Sequence, residues 1–445
     1  MPSFKKHIKE TIKLAVPVSI GQLGHTMMGV VDSLMVGKIG AAPLAAAALV
    51  NGLFFLVLVI GIGMSMAITP LVAIAKGSKN NEECGVVLRQ GLIVNLITAV
   101  ILLIIIYFGS DLIVYLGQPK EVTVLAISYL KILGFSVIPF MLFQIYRQFL
   151  EGISDVKPPM YLSISANFVN AFLNWILIYG NLGFEPMGLD GAGWATFASR
   201  SYMALTLMFY VINSPKYSGY DPSLRFKSFN VRMIKKIVGI GLPSGFQYFL
   251  EVAAFSFGAI MVGWIGTVQL AAHQIAINLA SATYMVILGI SAAGTIRVGH
   301  AVGAKDIQAT RMAGFSAIAI AAFVMLIFGI LFITFRNYLP YIYINDIKVV
   351  ELASSLLVVA AVFQIFDGIQ ATAFGILRGL TDVTVPLIIV FASYWLFAIP
   401  LGYYLAFNLK LGAVGVWIGF AVGLFLVALF LSIRFNLRSK KAVSF

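Results

Sequence analysis

Three acidic side chains lie inside long apolar stretches of this sequence: Asp32, Glu251 and Asp367. A charged group at the depth of a lipid bilayer costs about 2.5–3.5 kcal/mol on insertion scales. Such groups usually face a cavity and bind an ion, a proton or a counter-charge. The three carboxylates therefore predict cation binding inside a membrane. A purely structural ion pair with Arg200 or His25 is the alternative that the sequence leaves open.

The helical neighbours of two of these carboxylates are polar or aromatic. Those of Glu251 are Gln247, Tyr248 and Phe255, and those of Asp367 are Phe363, Gln364 and Gln370. A carboxylate on such a face suits a proton or Na⁺, and it also suits contact with an organic cation through charge and cation–π attraction.

A second group of oxygen-bearing side chains could join Asp32. Asn170 and Asn174 are four residues apart, so they share one face of a helix, and Thr196 lies in the next predicted span. These side chains could supply hard oxygen ligands to a small cation. Hydrogen bonding between helices by the amides remains the alternative. His25 lies seven residues before Asp32, on the same helix face. It could be a packed histidine, or it could take up and release a proton.

Other side chains are candidates for lining a substrate pocket. Methionines and phenylalanines are dense in the first two predicted spans, and such flexible or aromatic surfaces suit a pocket that accepts many ligands. Core or lipid-facing packing is the alternative for any one of them. The pocket candidates outside the two carboxylate faces are Met28, His25, Gln274 and Asn278.

The elements that position these residues are predicted to be membrane helices. Hydrophobic residues make up 60% of the 445 residues, charged residues 11%, and mean hydropathy is +0.98, which excludes an ordinary soluble protein. The apolar runs are continuous rather than alternating, so they indicate helices and not barrel strands. Twelve spans of about 20 apolar residues are predicted near 14–37, 48–73, 90–109, 122–146, 160–180, 190–212, 239–263, 274–298, 312–335, 349–376, 384–407 and 413–434.

The distribution of basic residues predicts the orientation. With both termini inside, the inner segments hold 23 Lys and Arg residues and the outer ends hold 6, as the positive-inside rule requires. The net charge of +13 is therefore explained by the membrane, and we expect no nucleic-acid partner. We expect a multi-pass protein of the plasma (bacterial inner) membrane with cytoplasmic termini, acting as a monomer.

Several kinds of chemistry are excluded. Cys84 is the only cysteine, so there is no intrachain disulfide and no thiolate cluster. The four histidines lack the paired spacing of a metal site, and the sequence has no phosphate-binding loop of the G-x-x-x-x-G-K-[ST] type. No nucleophile–base constellation is present either. We therefore expect neither an enzyme nor a bound cofactor.

The two halves of the chain repeat each other. Segments 226 residues apart match: Pro17 with Pro243, and Met35-Val36-Gly37 with Met261-Val262-Gly263. Farther along, Asp155 matches Asp382 at an offset of 227. Both prolines are near predicted span starts, where they would be first-turn prolines. The repeat predicts a first lobe at 1–212, a basic cytoplasmic linker at 213–237 and a second lobe at 238–445.

Each half has six predicted spans, so both halves enter the membrane in the same direction and should enclose a cleft about an axis along the membrane normal. The ionisable groups do not follow the repeat. Asp32 matches Gly258, Glu251 matches His25, and Asp367 matches Phe140. We therefore expect two unlike cation sites, one in each lobe.

Several motifs resemble those of multidrug and toxic compound extrusion (MATE) transporters. The run Gln22–Asp32 followed by Met35-Val36-Gly37 resembles the first helix of that family. The motif Ala271-Ala272-His273-Gln274-Ile275-Ala276 at the eighth span and Gly375-Ile376-Leu377-Arg378-Gly379 after the tenth are also similar. The resemblance covers nearly the whole chain and is specific in its combination of motifs.

The resemblance implies a fold, an activity and two sites. The fold is an all-α polytopic membrane protein with twelve helices in two pseudo-twofold-related six-helix bundles. The activity is antiport of cationic drugs against Na⁺ or H⁺. The first-lobe cation site would comprise Asp32, Asn170, Asn174, Thr196 and the carbonyl of Ala192.

The second-lobe site would comprise Glu251 and Asp367, a pair that resembles the cation site of the NorM-like branch. This resemblance slightly favours Na⁺ over H⁺ as the coupling ion. Many NorM-like members have Tyr one turn before the tenth-span Asp, whereas this chain has Phe363, so one ligand oxygen is missing from the expected set.

The sequence therefore predicts a secondary multidrug exporter that exchanges amphipathic organic cations for Na⁺ or H⁺ by alternating access. The alternative is a flippase for lipid-linked precursors of the same superfamily. That activity would require several basic residues inside the spans, and only Arg200 is clearly there. A major-facilitator porter is disfavoured because the basic loop between the second and third spans is absent.

Overall fold

The structure is a computed structural model that describes residues 4–222 and 229–441. In these residues the chain is helical throughout and forms fifteen α-helices joined by short 3₁₀ and π segments, with no strand. The first eight are α1 Phe4–Val36, α2 Ala41–Ser65, α3 Ile68–Gly77, α4 Asn81–Gly109, α5 Lys120–Phe135, α6 Val137–Gly152, α7 Lys157–Leu177 and α8 Gly188–Asn213. The remaining seven are α9 Val231–Ile265, α10 Thr267–Gly303, α11 Ile307–Phe335, α12 Ile347–Gly379, α13 Thr384–Phe391, α14 Ile399–Tyr403 and α15 Gly412–Ser439.

The fifteen helices correspond to the twelve predicted spans because three spans are interrupted. Helices α2 and α3 form the second span, and α5 and α6 form the fourth. In the eleventh span, the π-helical segment Ala392–Ala398 joins α13 to α14, and a second one, Tyr404–Asn408, follows. The prediction of an all-α polytopic membrane protein is confirmed.

Ten helical stretches among the described residues are long and apolar enough to cross a membrane. The other two spans are α7 and α8, which have 21 and 26 residues. Both are long enough to cross, but they carry a concentration of amide, hydroxyl and guanidinium groups, which lowers their hydropathy. These two helices supply most of the candidate cation ligands of the first half.

The chain divides into two compact units. The N unit is Ile20–Gly245, and the C unit is Met1–Ser19 together with Phe246–Phe445. The division falls inside α1 and α9, whose first parts each belong to the unit formed mainly by the other half of the sequence. Of the predicted linker at 213–237, residues 223–228 lie outside the described part. Before them the chain forms a 3₁₀ segment, Pro215–Tyr220.

The prolines of the repeat lie deep inside α1 and α9. Predicting Pro17 and Pro243 as first-turn prolines was wrong, because the two helices begin at Phe4 and Val231. A proline inside a helix removes one backbone hydrogen bond. The division between units falls two residues beyond each proline, after Ser19 and after Gly245.

Glycines allow close helix packing at equivalent places in the two units. A Cβ atom on Gly63 would lie 2.2 Å from Cα of Gly245 within the N unit. A Cβ atom on Gly289, its repeat partner, would lie 2.0 Å from Oγ of Ser19 within the C unit. Each unit is therefore completed by the first part of a long helix packed closely against a glycine.

Candidate cation and substrate sites

The N-unit site is built around the carboxylate of Asp32, which is buried in α1. Asn174 Nδ2 donates a hydrogen bond of 2.6 Å to Asp32 Oδ1. Thr196 Oγ1 donates one of 2.9 Å to Asp32 Oδ2. Helix α1 thus supplies the carboxylate, and α7 and α8 each supply one side chain that donates a hydrogen bond to it.

The two asparagines of α7 are one turn apart and fully buried, as their spacing predicted. Asn174 Nδ2 also donates to Asn170 Oδ1 at 3.2 Å. Asn174 Oδ1 and Asn170 Nδ2, however, have no hydrogen-bond partner among the described residues. An unpartnered oxygen in a buried site is costly unless a ligand satisfies it, so Asn174 Oδ1 is a candidate ligand atom beside Asp32.

The neighbouring residues hold these side chains in place. Asn167, one turn before Asn170, donates to the carbonyl of Gly24 at 2.7 Å and so ties α7 to α1. Ala192 is fully buried one turn before Thr196 in α8. The phenol of Tyr129, in α5, is buried within range of the Asp32 charge.

The predicted alternative, an ion pair of Asp32 with Arg200 or His25, is not formed by the described residues. Arg200 donates from Nη1 to Ser136 Oγ at 2.6 Å and makes no ion pair with Asp32. Its guanidinium lies over the rings of Phe54 and Phe140. His25 stacks on Phe140 at 5.3 Å between ring centroids. In the described residues, amide and hydroxyl groups, and no basic side chain, hydrogen-bond to the Asp32 carboxylate.

The C-unit site contains a chain of hydrogen bonds that ends on Glu251 of α9. Gln370 Nε2 donates to Glu251 Oε1 at 3.2 Å, and Tyr394 OH donates to Gln370 Oε1 at 2.9 Å. Gln247 lies one turn before Glu251 in α9. All four side chains are buried.

Asp367 lies in α12, one turn before Gln370, and is buried. It makes no hydrogen bond within the described part of the chain, but its charge and that of Glu251 act on each other. The phenols of Tyr284 and Tyr394 lie within range of both carboxylates. Two carboxyl groups and two phenols therefore form one cluster within the C unit.

An aromatic wall borders this cluster. Phe255 packs against Phe363, Tyr394 and Phe420, with ring centroids 6.0, 5.8 and 5.0 Å apart. Phe363 also packs against Trp417. Phe363, the residue that stands where a Tyr is common, thus contributes apolar packing, while Tyr394 brings a hydroxyl to the same neighbourhood from the eleventh span.

The remaining predicted pocket residues are used in different ways. Gln364 is buried and joins helices, because its Oε1 accepts from Thr283 at 3.1 Å. Gln274 is exposed and donates to Asn278 at 3.1 Å. Tyr248 lies under the guanidinium of Arg378 at 5.8 Å, and Met28 is buried. Gln274, Asn278 and Gln364 are engaged with partners outside the two carboxylate clusters.

Sequence reasoning missed Tyr394, Tyr284, Tyr129 and Arg147. The tyrosines could have been found from the sequence. Tyrosines of membrane proteins concentrate at the interfaces, so a tyrosine inside a span is unusual and indicates a polar site. Arg147 is buried in α6 and pairs with Glu151 at 2.7 Å. Within the described residues, no three His, Cys, Asp or Glu side chains cluster as a metal site would require.

Comparisons with known proteins give a consistent result. The MatE family model matches residues 17–176 and 243–404, and the two matches begin 226 residues apart, as the internal repeat predicted. The chain is 34% identical over 444 residues to a probable multidrug resistance protein NorM of Agrobacterium fabrum, covering 99% of this chain and 96% of that protein. It is 31% identical to the multidrug resistance protein MdtK of Yersinia pseudotuberculosis, covering 100% of this chain and 98% of that protein. Its fold matches the crystal structure of the eukaryotic MATE transporter AtDTX14 with a TM-score of 0.90 at 23% identity, covering 99% of each chain.

Proposed function

Since this chain belongs to the MatE family, we propose that it is a secondary active multidrug efflux transporter that exports amphipathic organic cations in exchange for Na⁺ or H⁺. The single observation that supports this most strongly is the Asp32 carboxylate, buried in α1 and hydrogen-bonded by two neutral side chains. Relatives named multidrug resistance proteins support the export of drugs.

The N-unit site has the ligands that a small monovalent cation requires. The Asp32 carboxylate supplies a negative charge, and Asn170 Oδ1, Asn174 Oδ1 and Thr196 Oγ1 supply neutral oxygens. Asn174 Oδ1 has no partner, so binding a cation or a protonated carboxyl there would satisfy it. Hard oxygen ligands of this kind suit a hard cation.

The C-unit cluster offers a second and different site. Two buried carboxyl groups whose like charges act on each other favour the uptake of a positive charge, either a proton or Na⁺. The hydroxyl of Tyr394 and the amide of Gln370 extend the polar face toward the aromatic wall, whose rings would attract an organic cation. The cluster can therefore bind either the coupling ion or the cationic substrate.

Competition between these ligands would couple the two fluxes. If the coupling ion and the drug favour different conformations of the transporter, binding of one promotes release of the other. Ions moving down their gradient would then drive the drug outward by alternating access. We propose that this takes place in the bacterial inner membrane with both termini in the cytoplasm, because basic residues concentrate on the predicted inner side.

The test is transport by the purified full-length protein. Proteoliposomes loaded with a fluorescent organic cation are given an inward Na⁺ gradient, an inward proton gradient or neither. We expect efflux faster than from protein-free liposomes, accelerated by at least one gradient. Efflux that neither gradient accelerates would refute secondary antiport.

A further inference from the structure

A single arginine of α10 holds the beginning of α1 in the C unit. Arg297 Nη1 donates to the carbonyl oxygen of His7 and to Thr11 Oγ1, both at 2.7 Å. Its Nη2 lies 2.6 Å from His7 Nδ1 and donates to Glu10 Oε2 at 2.9 Å. These four residues, which we call the α1 clasp, join α10 to one face of α1, and the Arg297 side chain is only 9% exposed.

The clasp lies at one end of a longer contact between the same two helices. Ser19 Oγ donates to the carbonyl oxygen of Val286 at 3.0 Å. A Cβ atom on Gly289 would lie 2.6 Å from the carbonyl oxygen of Ala15. Since the contacts move toward the start of α1 as they move toward the end of α10, the two helices pack antiparallel. None of these other contacts involves a charged side chain, so the clasp is the charged end of the contact.

The clasp lies outside the hydrocarbon core of the membrane. Helix α1 has 33 residues and is therefore about 50 Å long, whereas the hydrocarbon core is about 30 Å thick. The predicted span begins near residue 14, and Glu10 is 47% exposed. The residues before the span also carry four exposed lysines, Lys5, Lys6, Lys9 and Lys13. The clasp is therefore within reach of the water on the predicted inner side.

The contact between Arg297 and His7 requires a neutral imidazole. A guanidinium has N–H donors and no acceptor, so Nδ1 of His7 must accept the hydrogen bond and the ring proton must be on Nε2. A proton taken up from water at Nδ1 would remove the acceptor and leave two positive charges in contact. The complete clasp therefore exists only while His7 is neutral.

The surroundings of His7 favour its neutral form. Burial, and then the charge of Arg297, lower the pKa of His7 below its usual value of 6.5, and Lys6 contributes in the same direction. The carboxylates of Glu10 and Asp306 act in the opposite direction without reversing the shift. Because the pKa is lowered, the clasp is complete above about pH 6.5 and is lost as pH falls through the lowered value.

We propose that the α1 clasp senses acid on the inner side of the membrane: protonation of His7 breaks its contact with Arg297 and releases residues 4–13 of α1 from α10. The same helix continues into the N unit and carries Asp32. Release therefore removes one attachment of the helix on which the proposed N-unit cation site is built, and we expect acid to slow turnover for this reason. The effect on turnover rests on the proposed export function, whereas the release itself does not.

The first experiment measures the release as a change in the distance between two spin labels, one on α1 and one on α11. The purified full-length protein carries Lys9→Cys and Ile307→Cys at exposed positions, and Cys84→Ser because Cys84 is the only native cysteine. Electron paramagnetic resonance spectra are recorded at about pH 8 and at about pH 5.5, on either side of the ordinary histidine pKa. We expect one distance at the higher pH and an additional, longer one at the lower pH. A distance that does not change with pH would overturn the sensor.

Two variants of the labelled protein identify the groups involved. His7→Asn keeps a side-chain acceptor but cannot be protonated, so the single distance should persist at both pH values. Arg297→Gln removes the guanidinium, so the longer distance should be present at both. The control is His273→Asn, which removes a buried histidine of the same helix that bonds to Trp417 and should leave the pH response unchanged. A pH response that persists in His7→Asn would refute the role of His7.

The second experiment compares the pH profiles of efflux by wild type and His7→Asn in proteoliposomes at the same imposed ion gradient. The carboxylates inside the membrane are the same in both proteins, so a difference between the profiles isolates His7. When half of the clasps are released, we expect wild-type turnover to be about half that of His7→Asn. Identical profiles would overturn the effect of the clasp on turnover. Absence of efflux by both proteins at every pH would instead contradict the proposed function, and the spin-label experiment would still test the release.

Discussion

Asn174 donates a hydrogen bond of 2.6 Å to the carboxylate of Asp32, although 142 positions separate the two residues in the chain. The bond connects α7 to α1 and orients the amide so that its own oxygen has no partner. An acid and a free amide oxygen are thus held side by side in a buried site, and this pair is the basis of the proposed N-unit cation site.

The first prediction concerns this amide. Asn174→Leu removes a hydrogen bond to a charged group, which is worth about 1.5–3 kcal/mol, together with a ligand oxygen. We therefore expect the apparent affinity for the coupling ion to fall by about ten- to a hundredfold. The measurement is the ion-concentration dependence of efflux in proteoliposomes.

The matched control for that variant is Asn167→Leu on the same helix. Asn167 bonds to the backbone carbonyls of Gly24 and Ser163 and does not contact Asp32. Its loss should lower thermal stability and reduce the ion affinity less than the loss of Asn174 does, because Asn167 makes no hydrogen bond to the Asp32 carboxylate. Equal ion affinities in the two variants would argue against Asn174 as a ligand.

A second prediction addresses the hydroxyl that sequence reasoning missed. Tyr394→Phe removes the donor to Gln370 Oε1, and Gln370 in turn bonds to Glu251. A neutral hydrogen bond contributes about 0.5–1.5 kcal/mol. We therefore expect the apparent ion affinity to be weaker by about two- to tenfold. Tyr403→Phe, at an exposed tyrosine in the same span, is the control, and an effect as large as that of Tyr394→Phe would dismiss the specific role.

The close helix contacts of the two units make a third prediction. Gly63→Ala and Gly289→Ala each place a methyl group 2.0–2.2 Å from another helix, and overpacking of this kind costs about 1–3 kcal/mol. The unfolding temperature of both variants in detergent should fall. Gly52→Ala, which meets no atom within 4 Å, should not lower it. Two variants as stable as Gly52→Ala would mean that the helices do not approach so closely.

A fourth prediction concerns pH at the surface. Lys216 donates a hydrogen bond to Asp155, which raises the pKa of the lysine above its usual value of 10.5. A raised pKa means that the pair stabilises the fold below pH 10.5 and that this contribution disappears as pH rises through the raised value. The difference in unfolding temperature between wild type and Asp155→Asn should therefore shrink above pH 10.5.

Tyr217 should preserve part of the difference in unfolding temperature at high pH. Its hydroxyl also donates to Asp155 at 2.8 Å, and this hydrogen bond does not require the lysine charge. Burial and the Asp155 carboxylate raise the pKa of this phenol above its usual value. Asp155→Asn should remain somewhat less stable than wild type even at high pH. Because Lys216 is largely exposed, solvent screening makes the whole effect small. A difference that grows with pH would contradict the assignment.

Much of the fold could be predicted from the sequence, because apolar runs and the 226-residue repeat can both be identified along the chain without knowledge of tertiary contacts. The spacing of Asn170 and Asn174 correctly put both on one face of α7. That Asp32 would meet them was one of two alternatives raised by the residue types and was implied by the family resemblance, since spacing within a helix says nothing about partners 142 residues away.

The parts that were missed depend on tertiary packing. A repeat cannot show that residues before Pro17 pack in one unit and residues after Ser19 in the other. Tyr394 lies in a π-helical segment, whose wider turn changes which side chains face the site, so a helical wheel with 3.6 residues per turn does not place it beside Gln370.

The most direct test of the account is gradient-driven efflux of one fluorescent organic cation by wild type, Asp32→Asn and Glu251→Gln, measured side by side in proteoliposomes at equal protein density. If two unlike cation sites drive export, wild type concentrates the dye outside against its gradient and each variant abolishes this uphill transport. Unimpaired uphill efflux in either variant would contradict the role of that carboxylate.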